Sequence, residues 1–330
     1  MTTTRQSGDV EPVEVSVVHK AGPKRTVGSF IPLLLVLAGI LVLLYPVIAT
    51  QYNNVKQHEF ASKYSTQAAG IPQATREAEL EAARAYNSTL EGIPILDPWL
   101  LDVAQDPGSD SYIEYSSQLD VVDVMARVRI PAVNIDLPVY HGTDDEVLRK
   151  GVGHLYGTSL PVGGMDSHAV LTSHTGMPDA TLFDRLPDVE EGDLILIEVL
   201  GETLAYKVDQ IKVVEPDEIG DLTKIEGHDY LTLFTCTPYG VNSHRLLVRG
   251  ERVEYTPEIA DIAEQEISPF RVEPWMWFAL AGAIAGIVIL VVVIRKERGL
   301  RKRLQGVKSA NVEGVAEKEA DSDTLENHNK

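Results

Sequence analysis

The chain has 330 residues, a formal net charge of −20 at pH 7 and a single cysteine, Cys236. The acidic balance disfavours nucleic acid as a partner, because a phosphate backbone needs a concentrated basic face. One cysteine excludes an intrachain disulfide, so Cys236 is either inert core packing or a reactive thiol.

An apolar, uncharged stretch at residues 30–50 follows a basic segment at 1–29 that we expect to be cytoplasmic and disordered. At about 1.5 Å rise per residue such a stretch reaches roughly 30 Å, enough to cross a bilayer. We expect a transmembrane helix rather than a cleaved signal peptide, because the apolar run is longer than a signal core and lacks a clean small-residue cleavage pattern.

A second apolar stretch covers residues 275–294 and leads into a tail at 295–330 that we expect to be cytoplasmic and disordered. A buried core helix is the alternative, but such helices are rarely charge-free for so long. Basic residues flank both stretches on the terminal side, which predicts both termini in the cytoplasm and the chain between them outside. These residues are Lys20, Lys24, Arg25, Arg295, Lys296, Arg298, Arg301, Lys302 and Arg303.

The exported part begins with a helical segment at 51–92, in which Ala82, Tyr86 and Leu90 share one helical face. A connection at 93–119 follows, and its prolines and glycine exclude a long regular element. It contains Asp97, Pro98 and Trp99, and the tryptophan is either a local packing anchor or a plug in a groove.

Residues 120–255 are expected to form a mostly β domain, followed by a spacer at 256–274. The few short helices expected there are at 144–150 and at 180–186, and several short strands of this kind form a closed barrel or a sandwich. The sequence has no metal-type Cys/His spacing and no glycine-rich phosphate loop, so we expect no metal and no cofactor. The strand-like runs are 121–130, 133–140, 167–173, 194–200, 203–214, 230–236 and 244–253.

Cys236 ends one of these runs, where loops usually build sites. Alternation puts Tyr230, Thr232, Phe234 and Cys236 on one face. The next run opens with His244 and Arg245, which face opposite sides, so only one of them can share the face of Cys236.

A catalytic cysteine needs a histidine close to it, and His174 is the best placed by sequence. It ends its run as Cys236 ends its own, so the two side chains would reach the same rim if the strands are parallel neighbours. His168 lies roughly 20 Å further back along the strand and is expected in the barrel wall. The other exported candidates are His141, His154, His228 and His244.

These residues carry a family resemblance. Thr232-Leu-Phe-Thr-Cys236 resembles the T-L-x-T-C signature of sortases, with a histidine about sixty residues upstream and Arg245 nine residues downstream. Asp97-Pro98-Trp99 is similar to the lid motif of class C, pilin-polymerising sortases, in which a second membrane span is also typical.

The resemblance implies a membrane-anchored cysteine transpeptidase on a closed eight-stranded sortase barrel. Cys236 would attack the Thr–Gly bond of an LPXTG-type sorting signal, His174 would transfer protons and Arg245 would hold the substrate carbonyl or the oxyanion. The resolving amine would be a lysine of the next pilin subunit, which makes LPXTG-bearing pilins and the lipid bilayer the expected partners. We take Thr235, Thr237 and Asn242 as candidates for the substrate groove.

Asp97 would pair with Arg245 while Trp99 covers Cys236, and the alternative is that both residues only tether a loop.

Three other functions remain open. They are a general cell-wall anchoring sortase, a cysteine hydrolase of surface proteins, and an inactive scaffold in which Cys236 is packing alone.

Overall fold

The computed structural model describes residues 31–90, 108–218 and 220–326. They divide into two compact units. One unit, Val42–Gly282, contains the β domain and the helical segments around it. The other contains the beginning of the first long helix and most of the last one.

Two long helices carry the apolar stretches, α1 at Ile31–Gly70 and α6 at Pro274–Glu326. Only 6% of the apolar window of each is buried, so neither behaves as a core helix, and both are long and apolar enough to cross a membrane. α1 continues for about five turns past the end of its apolar stretch. α6 runs through a segment for which the sequence predicts disorder, and that segment is rich in the helix formers lysine, glutamate and alanine.

Within the described residues, four shorter helices accompany the β domain, and two of them are predicted from the sequence. Residues 180–186 do not form the expected helix, and a 3-10 turn follows at Leu186–Asp188 instead. Leu182 has a positive φ of 42°, and Pro187 disfavours helical backbone in the residue before it. The helices are α2 at Gln73–Thr89, α3 at Asp110–Ser116, α4 at Asp145–Lys150 and α5 at Pro257–Ala263.

The β domain is a closed barrel with the strand order β1-β2-β3-β4-β7-β8-β6-β5, which confirms the predicted eight-stranded barrel. Two pairs are parallel, β2 with β3 and β4 with β7. The sequence analysis misses β3, which has only three residues. The strands are β1 at Ala126–Ile130, β2 at Ile135–His141, β3 at Val152–His154, β4 at Ser167–Thr172, β5 at Leu194–Val199, β6 at Glu202–Val214, β7 at Asp229–Thr237 and β8 at His244–Val253.

Alternation along β7 separates an inner from an outer face. Leu231 and Leu233 belong to the main core inside the barrel. Phe234 belongs to a second, smaller apolar cluster on the outside, together with Val170 of β4 and Leu247 of β8. A residue of the same parity as Phe234 therefore projects from the outer face of the barrel.

Candidate active site

Cys236 lies on the outer face, two residues after Phe234 and near the end of β7. The residue is 9% exposed, so its thiol lies at the edge of the packed outer cluster rather than in open solvent. β7 is hydrogen-bonded to β4 on one side and to β8 on the other. Both neighbours can therefore place side chains beside the thiol.

Arg245 of β8 lies directly opposite Cys236 in the antiparallel pair. Residues opposite each other in such a pair project from the same face, which selects Arg245 over His244 as the neighbour of the thiol. Arg245 is 7% exposed, and its Nη1 donates to the carbonyl oxygens of Asn242 at 3.3 Å and His244 at 3.1 Å. The connection between β7 and β8 thus orients the guanidinium. His244 instead places Nε2 3.2 Å from a carboxylate oxygen of Glu215.

His174 follows the end of β4, which is parallel to β7 with Thr172 opposite Phe234. The alignment continues past the strand end, because Thr235 Oγ1 donates to the carbonyl oxygen of Ser173 at 2.8 Å. Continued two residues past Thr172 and Phe234, the same register aligns His174 with Cys236. The parallel arrangement on which the choice of His174 depended is present.

The His174 side chain is only 18% exposed, and this burial is the main cause that lowers its pKa below the ordinary value. The carboxylate of Asp145, with Oδ1 3.8 Å from Nε2 of His174, acts against this burial and raises the pKa. The positive charge of nearby Arg149 lowers the pKa further. Because the lowered pKa lies further below neutrality, the imidazole is mostly neutral at pH 7 and can accept a proton.

The other exported histidines named above have different surroundings. His168 is 1% exposed, with Nε2 2.7 Å from Thr232 Oγ1 and Nδ1 3.0 Å from the carbonyl oxygen of Thr223, which fits the barrel-wall role. His154 is fully buried, and burial lowers its pKa to about 4. His141 and His228 contact the Gln118 carbonyl and the Glu251 carboxylate respectively.

The segment after His174 is held by Asp184, which the sequence analysis does not single out. Asp184 Oδ1 accepts the Gly176 N–H at 2.7 Å and the Thr175 hydroxyl at 3.0 Å. The Phe183 N–H donates to the carbonyl oxygen of His174 at 3.1 Å, which closes the loop at its base. Burial raises the pKa of Asp184 to about 6 despite these hydrogen bonds. No local sequence signal marks this carboxylate.

The groove candidates occupy different positions. Thr235 points to the inside of the barrel and is fully buried, so we assign it to the barrel wall rather than to a groove on the outer face. Thr237 and Asn242 flank the connection after β7, beyond the thiol. Within that connection the apolar side chains of Tyr239 and Val241 are exposed, and the sequence analysis does not identify them.

The three lid residues, Asp97, Pro98 and Trp99, lie outside the described residues. Their pairing with Arg245 and Cys236 stays a prediction.

Residues 128–253 match the family model of the sortase domain. The crystal structure of sortase C-1 from Actinomyces oris is 52% identical with a TM-score of 0.52, covering 54% of this chain and 98% of that one. Sortase C from Streptococcus pneumoniae is 41% identical with a TM-score of 0.55, covering 60% of this chain and 97% of that one. Sortase D from Bacillus subtilis is 30% identical over 129 residues, which span 38% of this chain and 62% of the relative.

The chain belongs to the sortase family, as the closed barrel, the match to the family model and the similarity to sortase C-1 show. Sortases are cysteine transpeptidases. The sortase C structures among its neighbours assign the chain to class C. The matched region spans less than two thirds of two of the curated relatives, 62% of B. subtilis sortase D and 64% of Bacillus anthracis sortase A.

Proposed function

We propose that the protein is a membrane-anchored transpeptidase that cleaves an LPXTG-type sorting signal and joins it to a pilin lysine. The observation that carries the proposal is the position of Cys236 on β7, with Arg245 opposite it on β8 and with His174 just past the end of β4, the parallel neighbour of β7. A nucleophile, a proton carrier and a fixed positive charge are the groups that acyl transfer through a thioester requires.

In the first half-reaction the thiol of Cys236 gives its proton to the neutral imidazole of His174, and the sulfur attacks the threonine carbonyl carbon. A C–S bond forms and the carbonyl oxygen becomes an oxyanion, which the Arg245 guanidinium stabilises. When the C–N bond to glycine breaks, the imidazolium protonates the departing amine. The products are a thioacyl enzyme and a peptide with a free glycine amine.

In the second half-reaction a lysine amine attacks the thioester carbonyl. His174 accepts the proton that the amine loses, and the C–S bond breaks to release the thiolate of Cys236, which takes that proton from the imidazolium and restores the starting thiol and neutral imidazole. An isopeptide bond joins the two subunits. Arg245 cannot act as the base because a guanidinium remains charged at neutral pH.

Pilin subunits as substrates are supported by the likeness to class C enzymes. The S. pneumoniae sortase C structure is described as giving insight into pilin substrate specificity, and the similarity to this chain covers 97% of that protein. Repeated cycles on subunits that carry both a sorting signal and a lysine would polymerise a pilus shaft.

The proposed topology places the barrel outside the cell, between two membrane spans, with both termini in the cytoplasm. Basic residues on the terminal side of each apolar stretch support this orientation. We also propose that Asp97 and Trp99 form a lid over the site. Trp99→Ala would then raise the rate at which a charged alkylating reagent modifies Cys236, and an unchanged rate would count against occlusion.

The test is to incubate the full chain in detergent micelles with an LPXTG peptide, with and without a lysine-bearing pilin domain. Mass spectrometry follows the thioacyl adduct, the cleaved peptide and the ligated product, and Cys236→Ala is the control. A ligated product that requires Cys236 supports the proposal. Cleavage that never yields ligation would indicate a hydrolase, and absence of any product even with Trp99→Ala would indicate a scaffold.

General cell-wall anchoring is separated by the choice of amine. If a peptidoglycan-type amine is ligated and the pilin lysine is not, the enzyme is an anchoring sortase.

A further inference from the structure

A polar run begins at the last residue of the apolar stretch of α1, Thr50-Gln-Tyr-Asn-Asn54. Asn53 and Asn54 lie three and four residues after Thr50, so all three residues share one face of the helix. Thr50 is 2% exposed although it lies at the end of the predicted membrane span. This face is therefore packed against the protein.

The partner of this face is the loop at 175–185, which follows His174. Asn54 binds Thr181 twice, with Nδ2 donating to Oγ1 at 2.7 Å and Oδ1 accepting the backbone N–H at 3.1 Å. Asn53 Nδ2 donates to the Asp179 carbonyl at 2.8 Å, and Thr50 Oγ1 to the Pro178 carbonyl at 3.3 Å. Four hydrogen bonds thus join a short stretch of helix to the loop.

The loop transmits this attachment to His174 through its own hydrogen bonds. The carbonyl oxygen of Thr181 accepts the Asp184 N–H at 2.8 Å. Asp184 in turn holds Thr175 and Gly176, the two residues that follow His174. Hydrogen bonds therefore connect α1, through Thr181 and Asp184, with the two residues that follow His174.

The segment before α6 reaches the same loop from the other side. Arg185 Nη1 lies 3.9 Å from Glu273 Oε2, and Glu273 Oε1 lies 3.3 Å from Arg271 Nε. The Arg271 N–H donates to Gln51 Oε1 at 3.3 Å, and Gln51 Nε2 donates back to the Arg271 carbonyl. The residues at the protein-side ends of both apolar helices therefore meet around one loop.

α1 does not need these contacts to stay on the barrel. Further along the helix, the Tyr64 hydroxyl donates to the Met125 carbonyl at 3.0 Å and accepts the Leu200 N–H at 2.8 Å. Ser65 also donates to Glu198 at 2.7 Å, and His58 lies 2.9 Å from Asp136. Since these contacts already hold the helix, the contacts at 50–54 chiefly restrict the loop.

We propose that Asn54, with its neighbours Thr50 and Asn53, is a positioning residue for catalysis. It holds the 175–185 loop so that the imidazole of His174 stays beside Cys236. The proposal rests on the catalytic role of His174 given above. Through Asn54 and Glu273 the two membrane anchors become part of the catalytic geometry.

The test compares Asn54→Ala with Asn87→Ala in the full chain in lipid nanodiscs. Asn87 on α2 is a matched control, because its amide also binds one loop residue twice, donating to the Leu160 carbonyl at 3.0 Å and accepting the Leu160 N–H at 2.7 Å. That loop precedes β4, whereas His174 follows it. The readouts are kcat and KM for an LPXTG peptide with an amine acceptor, the pH–rate profile, and Tm.

We expect Asn54→Ala to lower kcat by about tenfold or more, because small displacements of a catalytic group have large effects on rate. KM should change by less than about twofold, since the peptide groove is untouched. The acidic limb of the pH–rate profile should move to higher pH, because a looser His174 is better solvated and its pKa returns toward the ordinary value. Asn54→Asp keeps the acceptor for the Thr181 N–H and offers a second oxygen to which the Thr181 hydroxyl can donate instead of accepting, so it should restore most of kcat.

Asn87→Ala should lower Tm at least as much as Asn54→Ala while leaving kcat within about twofold of the wild type. If Asn54→Ala does not fold, Thr181→Val is the substitute, because it removes the hydrogen bond from Asn54 Nδ2 at nearly constant side-chain shape. Thr181→Val should also lower kcat, but by less than Asn54→Ala. Equal effects of the Asn54 and Asn87 variants on kcat would overturn the inference. A wild-type enzyme that forms no thioacyl adduct, although Cys236 is alkylated, would instead overturn the proposed function on which it rests.

Discussion

Replacing Asp184 with asparagine is expected to stabilise the protein above neutral pH and to leave its stability at acidic pH almost unchanged. Burial raises the pKa of Asp184 from the ordinary 3.8 to about 6. Above pH 6 the folded protein therefore contains a partly buried carboxylate that would be better solvated in the unfolded chain. An asparagine keeps an oxygen for Thr175 and Gly176 and carries no charge.

The sign of the effect follows from proton binding. Between about pH 4 and pH 6 the folded protein binds this proton and the unfolded chain does not, so stability falls as pH rises through that window. A difference of about two pKa units corresponds to at most about 3 kcal/mol. Partial solvent exposure of Asp184 screens the charge, which reduces the expected effect to about 1–2 kcal/mol.

The assay is thermal or urea unfolding of the wild type and of Asp184→Asn, each at pH 4.5 and at pH 8. The difference in stability between the two proteins at each pH isolates the contribution of Asp184 from that of other titrating groups. At pH 8 the Asp184→Asn protein should melt about 3–6 °C higher than the wild type. Asp184→Ala is the control, since it loses the acceptor as well as the charge and should be less stable than the asparagine variant at both pH values. An asparagine variant that is less stable than the wild type at pH 8 would refute the reasoning.

Three further predictions test the site and the barrel. His174→Ala should abolish peptide turnover without changing Tm. His168→Ala should lower the free energy of unfolding by about 2 kcal/mol, because it removes two hydrogen bonds. If instead His168→Ala abolished turnover and His174→Ala lowered Tm, the catalytic histidine would be reassigned. Thr235→Val should cost about 1 kcal/mol in urea unfolding, since it removes the hydroxyl that joins β7 to the residue after β4. Gly153→Ala should destabilise the protein by about 2–3 kcal/mol, because the added Cβ would lie 2.4 Å from a backbone oxygen. Gly220→Ala is the control, since no atom lies within 4 Å of the added Cβ, and it should melt within about a degree or two of the wild type.

Alternating and β-branched runs predicted most of the barrel because each strand buries one face against the same core. The prediction failed where an element is too short to show a period. β3 has three residues, and α3 is seven residues long and is fixed by the burial of Tyr115 against the barrel. Contacts of this kind are tertiary and leave no local pattern.

At the site, the positions of Cys236 and His174 at two strand ends were visible in the sequence, but the choice between His244 and Arg245 was not. It depends on the register of β7 with β8, and a shift by one residue would exchange the two side chains. The inward direction of Thr235 did follow from alternation with Cys236, and its placement in the groove overlooked that rule. Asn54 and Thr181 are 127 residues apart, and no local pattern connects them.

The central position of β7 has a practical consequence for engineering. The reacting groups take their spacing from the pleated backbone of β4, β7 and β8, so a substitution that shifts the register of β7 would displace the thiol relative to both of its neighbouring strands. Engineering of substrate preference should therefore keep the pairing residues of β7 and vary exposed side chains such as Tyr239 and Val241.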